Sequence, residues 1–102
     1  MMAKGYWVGR VDVTAPEAYQ AYVQGNGPVF ARYGARFLVR GGKFETAEGE
    51  ARSRNVVIEF DSFEQALACW NDPDYQAVKR LRDGHCIADI IVIEGYDGPQ
   101  PG

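Results

Sequence analysis

The sequence predicts an α+β fold whose elements follow the order β-α-β-β-α-β. Three observations carry that prediction. Three segments alternate in polarity with the period of two that a half-buried strand requires, and a fourth, near the end of the chain, is a short run apolar on both faces. Two others repeat apolar residues at helical spacing, and glycine, proline and Ser/Thr/Asp caps punctuate the chain between them. At 102 residues, 46% apolar and 13% aromatic, the chain has the size and composition of one compact domain.

Residues 6–13 place Trp7, Gly9, Val11 and Val13 on one face and Tyr6, Val8, Arg10 and Asp12 on the other, a strand with one apolar and one mixed face. Thr14 and Glu17 have the spacing of a capping box around Pro16, whose missing N–H would have had no partner in a first helical turn. Tyr19, Tyr22, Val23, Phe30 and Tyr33 supply a buried stripe, but Gly25-Asn26-Gly27-Pro28 predicts a kink or two short helices in sequence. Gly34 closes the element as a left-handed cap. Strict alternation then assigns Phe37, Val39 and Gly41 to one face of a second strand and Arg36, Leu38 and Arg40 to the other. Gly41-Gly42 permits a bulge or sharp bend, and residues 43–54 read as a solvated hairpin arm.

The second half repeats the plan. Residues 55–60 set Val56, Ile58 and Phe60 against Val57 and Glu59. Ser62 and Gln65 form a second capping box ahead of Phe63, Ala66, Leu67 and Trp70. Asp72-Pro73 breaks and restarts that helix, Tyr75, Val78 and Leu81 carry the new stripe, and Gly84 ends it. Residues 86–95 form a last strand, apolar on both faces except at Asp89, and a loose Pro/Gly tail follows. The domain is thus expected over 1–96 and the tail over 97–102. This is the ferredoxin-like split arrangement, a four-stranded antiparallel sheet with two helices, the second broken near Pro73, on one face. The other face would carry Tyr6, Val8, Leu38, Val57, Ile87, Ile91 and Ile93. A soluble monomer rarely leaves that much apolar surface bare, so a second copy is expected to pack against it, sheet to sheet.

Several blocks carry a family resemblance. They are Tyr33-Gly34-Ala35-Arg36-Phe37-Leu38-Val39-Arg40-Gly41-Gly42, Arg54-Asn55-Val56-Val57-Ile58-Glu59-Phe60 with Ser62-Phe63, Pro73-Asp74-Tyr75-Gln76, and Val92-Ile93-Glu94-Gly95. With Lys4-Gly5-Tyr6-Trp7-Val8 and Val11-Asp12-Val13 they resemble the domain-of-unknown-function 1330 family over about residues 4–96. That family belongs to the dimeric α+β barrel group, so the resemblance implies a homodimer whose two sheets form a barrel. Gly25-Asn26-Gly27 departs from the pattern where a better helix former would stand, and His85 where a small apolar residue would. The resemblance implies fold and assembly and carries no reaction.

Composition excludes more than it assigns. A net charge of −3, with the charges interspersed, offers no basic stripe for nucleic acid. Met1-Met2-Ala3-Lys4-Gly5 lacks the apolar core of a signal peptide, no segment reaches the roughly 20 apolar residues of a membrane span, and a cytoplasmic protein is expected. Cys69 and Cys86 show no metal or redox spacing, and phosphate-loop, dinucleotide, serine-elbow and zinc-protease motifs are missing. No metal or cofactor is expected. His85, after the capping Gly84, reads as a solvated or helix-end residue. A haem ligand is the sharper alternative, since haem needs only one histidine and other barrels of this group bind it so.

One parity of all four strands collects charge: Arg10 and Asp12, Arg36 and Arg40, Glu59, and Asp89. A cleft on that open sheet face is the expected site. Arg40, with Arg10, Arg36 and Tyr6, would bind a small and possibly anionic ligand, and Glu59 or Asp89, its pKa raised by partial burial, is the candidate general base. The competing reading is an Arg–carboxylate network that fixes strand register and the interface. The expectation is therefore a small-molecule-binding homodimer. Its alternatives are a cofactor-independent isomerase, lyase or monooxygenase-like enzyme on a small carbonyl or aromatic acid, and a purely structural dimer.

Overall fold

The computed structural model describes residues 3–102; Met1 and Met2, part of the leader stretch weighed above, lie outside the described residues. The strands are β1 (Gly5–Val13), β2 (Arg36–Arg40), β3 (Arg54–Phe60) and β4 (Cys86–Glu94). The helices are α1 (Pro16–Arg32), α2 (Phe63–Asn71) and α3 (Pro73–Lys79), the last followed by a 3-10 turn at Arg80–Arg82. The sheet runs β2-β3-β1-β4 with every neighbouring pair antiparallel, and the helices cover one side of it. The fold is ferredoxin-like α+β, as the element order predicts.

The core lies where the apolar parity of the strands meets the helical stripes. Trp7 is 2% exposed and stacks edge-on against Phe30, Trp70 and Tyr75, while its Nε1–H donates to the Ala66 carbonyl at 2.8 Å. Tyr22 and Tyr75 share a buried hydroxyl–hydroxyl hydrogen bond of 2.7 Å, so neither phenol is left unpaired beneath the helices.

Local signals set most boundaries. Ser62 Oγ accepts from the Gln65 N–H at 3.0 Å, and Asp72 Oδ1 accepts from the Asp74 N–H at 2.7 Å with Pro73 in the first turn of α3. Gly34 and Gly84 take the positive φ, 65° and 77°, that a left-handed stop requires. The first capping box does not form. The N-cap is Ala15, without a side-chain bond, and the Thr14 and Ala15 N–H groups donate to the His85 carbonyl at 2.9 and 3.1 Å. The backbone of His85, just before β4, accepts from the Thr14 N–H as the local motif predicted the Glu17 side chain would.

The expected break in α1 is also absent. Residues 16–32 form one helix through Gly25-Asn26-Gly27-Pro28. Gly25 faces α3 and the turn after it, where a Cβ would lie 3.3 Å from Val78 Cγ1 and 3.6 Å from Leu81 Cδ1, so the residue permits close helix approach. Gly27 precedes proline, the position where a side chain would clash with the ring in helical conformation. Tertiary packing and these two glycines offset the cost of Pro28.

Strict alternation fails in β2. Phe37 pairs with Ile58 and Val39 with Val57, which makes Leu38 the extra residue of a bulge. The parity reverses there. Arg40 therefore stands opposite Val56, on the helix-covered side, and Val39 falls on the bare side; both are the reverse of the sequence expectation. Residues 43–53 form no strand and are largely exposed, consistent with a solvated arm.

Candidate functional site

The candidates named from sequence divide between the two faces of the sheet. On the bare face, Tyr6 donates to Glu59 Oε2 at 2.9 Å, and Arg36 donates through Nε to Glu59 Oε1 at 3.0 Å. Arg36 also reaches Asp61, at 3.3 Å, and Lys4 lies 3.7 Å from the same carboxylate. A second network joins Arg52 to Asp12 and Asp89, each at 2.8 Å. Arg10 stands between Asn55 and Asp89 in the strand register.

These contacts alter the chemistry expected of the carboxylates. The Tyr6 hydroxyl, and after it Arg36, hold the Glu59 carboxyl below its ordinary range rather than raising it, which makes Glu59 a poorer base. Asp89 has Arg52 as its direct partner and does not line the recess between α1 and the sheet.

That recess lies on the helix-covered side. Within one subunit the helical layer supplies its second wall. Trp7, Phe30 and Phe37 line one part and Tyr19 and Tyr22 another, with Val56, Ile58 and Ile90 as apolar floor. Three arginines enter it, Arg40 from β2, Arg54 from β3 and Arg82 from the turn before β4, and no Asp or Glu lines it. Of the named ligand-binding candidates, only Arg40 is among the lining residues. The recess is partly open to solvent, with about 40 Å³ free to the centre of a water-sized sphere and about 520 Å³ of empty space once the open mouth is included.

The arginines owe their places to register. Arg54 lies opposite Val11 and Arg40 opposite Val56, so the two are diagonal neighbours at the same end of the sheet. The Arg54 guanidinium crosses Gly41, where a Cβ would come within 2.7 Å of its Nη1, and Gly41 has φ 69°. Glycine is needed there both for the bend and for the passage. The Arg40 guanidinium rests 4.0 Å from the Phe37 ring centroid. Arg82 is 8% exposed, lies over Tyr22 at 5.1 Å and donates to Cys86 Sγ at 3.5 Å. Among the described residues no carboxylate forms an ion pair with any of the three.

Two buried polar atoms at the recess have no hydrogen-bond partner: Arg54 Nε and Asn26 Oδ1. Asn26 is 5% exposed on the buried stripe of α1. Leaving such a group unpaired costs about 1–3 kcal/mol, and native folds rarely tolerate it without a reason. Sequence reasoning missed Asn26, Arg54 and Arg82, yet each carried a signal. Asn26 is four residues after Tyr22, in the middle of the apolar stripe, Arg54 has the parity of Val56 and Ile58, and Arg82 is four residues after Val78.

Burial pushes the Cys69 thiol up to about 12 and raises the Tyr19 phenol as well, so neither ionises readily. His85 is not among the lining residues, and no cluster of three or more His, Cys, Asp or Glu suited to a metal occurs among the described residues. No described helix is long and apolar enough to cross a membrane.

Residues 4–96 match the family described as domain of unknown function DUF1330. The chain belongs to this family. The resemblance seen in its sequence blocks is thereby established over nearly the whole length. No curated protein matches the sequence. Among solved structures, a DUF1330 chain such as this one is similar to RPA0582, a protein of unknown function from Rhodopseudomonas palustris. The identity is 20% and the TM-score 0.76, over 96% of this chain and 86% of that one. It is also similar to SnoaB, a cofactor-independent oxygenase from Streptomyces nogalater (13% identity, TM-score 0.62, 97% and 96% covered). A dimeric ferredoxin-like protein of unknown function from Thermobifida fusca YX shares the fold at 14% identity and TM-score 0.57, with 91% and 93% covered. At these identities the likeness is one of fold.

Proposed function

We propose that the protein is a homodimer that binds a small organic anion in the recess beneath α1. The observation that carries the reading is the composition of that recess: three guanidinium groups without a carboxylate partner, set among aromatic walls, with the Arg54 Nε–H buried and unmet. Guanidinium groups held apart from carboxylates retain their capacity for a carboxylate or enolate of the ligand, and a bidentate match is the strongest bond they form. Arg40 rests on the Phe37 ring, and turning to an anion exchanges that contact for a charge-assisted hydrogen bond. An exposed cation–π contact is worth about 0.5–1 kcal/mol, whereas a hydrogen bond to a charged group contributes about 1.5–3 kcal/mol, so the exchange favours the anion.

The lining favours binding over acid–base catalysis. It contains no Asp, Glu, His or Lys, and the Tyr19 phenol is held in its protonated form by burial. Dimerisation is supported by the bare apolar face and by the dimeric state named for the Thermobifida neighbour.

Calorimetric titration with benzoate and 2-naphthoate, each against its uncharged carboxamide, tests the reading. The acid should bind and the amide should not. Arg54→Met should weaken the acid by about 10- to 100-fold, the equivalent of one charge-assisted bond. Arg40→Ala should leave a folded dimer that binds weakly. Equal behaviour of acid and amide, or indifference to Arg54→Met, would overturn it.

A further inference from the structure

We infer that the anion taken up is a hydroxylated aromatic carboxylate, and that Asn26 is the residue that selects its hydroxyl group. The inference rests on the reading of the recess as an anion site and adds the identity of the body attached to the anion.

The recess is ordered along its length. Arg40 and Arg54 stand at the end of the sheet where β1 finishes, and Arg82 precedes the first residue of β4, Cys86, which pairs with Val13 at that same end. The aromatic group Trp7, Phe30 and Phe37 lies towards the opposite end, since Trp7 and Phe37 both pair with Ile58. Asn26 lies between the two, because α1 runs back from Pro16 and places it after Tyr22 and before Phe30. A ligand with its carboxylate at the arginines and a ring against the aromatic walls passes Asn26 on the way.

A purely apolar ring would bury the Asn26 amide still more deeply and leave Oδ1 without a partner. A ring hydroxyl removes that penalty. It can donate to Oδ1, and it can equally accept from the amide N–H if the side chain is turned over, so the match does not depend on which way the amide points. Neither an amine nor an ether oxygen fits both orientations as well on an aromatic ring. The helix itself gives no reason for asparagine here, since the neighbouring stripe positions Tyr22, Val29 and Phe30 are apolar or aromatic.

The test compares parent acids with hydroxylated ones: benzoate with its three monohydroxy isomers, and 2-naphthoate with hydroxynaphthoates, titrated into the wild-type dimer, Asn26→Leu and Asn26→Ala. At least one hydroxylated acid should bind wild type about tenfold or more tightly than its parent, the value of one hydrogen bond that would otherwise be missing. In Asn26→Leu the parent should bind more tightly than to wild type, since its ring no longer buries an unmet amide, and the advantage of the hydroxylated acid should vanish, with an unliganded melting temperature no lower than wild type. Asn26→Ala provides the same comparison should leucine fail to fold. Equal binding of parent and hydroxylated acids to wild type, with both weakened by Arg54→Met, would overturn this inference and leave the anion site standing. An advantage that survives both Asn26 variants would remove Asn26 from the role. Absence of binding by every acid would overturn both readings.

Discussion

Asp72 shows how one side chain can serve two elements. It accepts the Tyr33 hydroxyl at 2.5 Å and the Asp74 N–H at 2.7 Å, and Arg32 lies 3.4 Å away, so the end of α1 and the start of α3 are tied to a single carboxylate. The Tyr33 hydroxyl first, then the Asp74 N–H, hold its carboxyl below the ordinary value of 3.8. A carboxyl depressed in the folded state stabilises that state above its unfolded value and loses the contribution as pH falls through the folded one. Asp72→Asn keeps an acceptor for the cap but cannot titrate. Melting temperatures measured from about pH 6 to about pH 3 should therefore fall more steeply for wild type than for Asp72→Asn; parallel curves would contradict the linkage. This site was legible, because Asp-Pro at a helix start is a local signal. Thr14 was not, because its backbone partner, His85, is distant in sequence. Asn26 and Arg54 occupy places where a pattern reader expects apolar residues, and their meaning emerges only when the helix and strand are seen to share a space.

At the scale of elements, β1 begins beneath the start of α2. A Cβ on Gly5 would overlap the Ser62 carbonyl oxygen, which is backbone and cannot rotate away. Gly5→Ala should cost about 1–3 kcal/mol through overpacking, a drop in melting temperature of roughly 5–20 °C for a domain of this size. An unchanged melt would show that α2 can shift freely on the sheet. Element existence and type followed from periodicity throughout, and boundaries fell within a residue or two of caps and glycines. The β2 bulge escaped, because an extra residue leaves composition and alternation intact over so short a strand; only pairing with β3 reveals it. The continuity of α1 escaped for a related reason, since Gly25 is explained by Val78 and Leu81 on another element.

The whole molecule is a slab, 16 Å along its shortest principal axis, with one helical layer on one sheet. Two layers suffice to bury one core, but they leave the second sheet face to solvent. Val39, Val57, Val8 and Ile91 form a row across all four strands of that face, and Ile87 and Ile91 are each 55% exposed. Ile91→Lys, at the centre of the row, should convert the proposed dimer to monomer in light scattering at micromolar concentration while leaving the far-UV circular dichroism of the subunit unchanged. A wild type that is already monomeric would refute the assembly.

The bulge at Leu38 makes strand pairing a determinant of chemistry. Closing it at unchanged length would set Leu38 opposite Val57 and Val39 opposite Val56, and would carry the Arg40 guanidinium out of the anion recess and onto the apolar row with no change in any residue. Binding and assembly would then be disturbed in one event, one losing a cation and the other acquiring it. Deleting one residue between Phe37 and Arg40 would instead restore regular alternation with Arg40 still opposite Val56. The extra residue is therefore dispensable to the placing of Arg40, whereas its being bulged out is not.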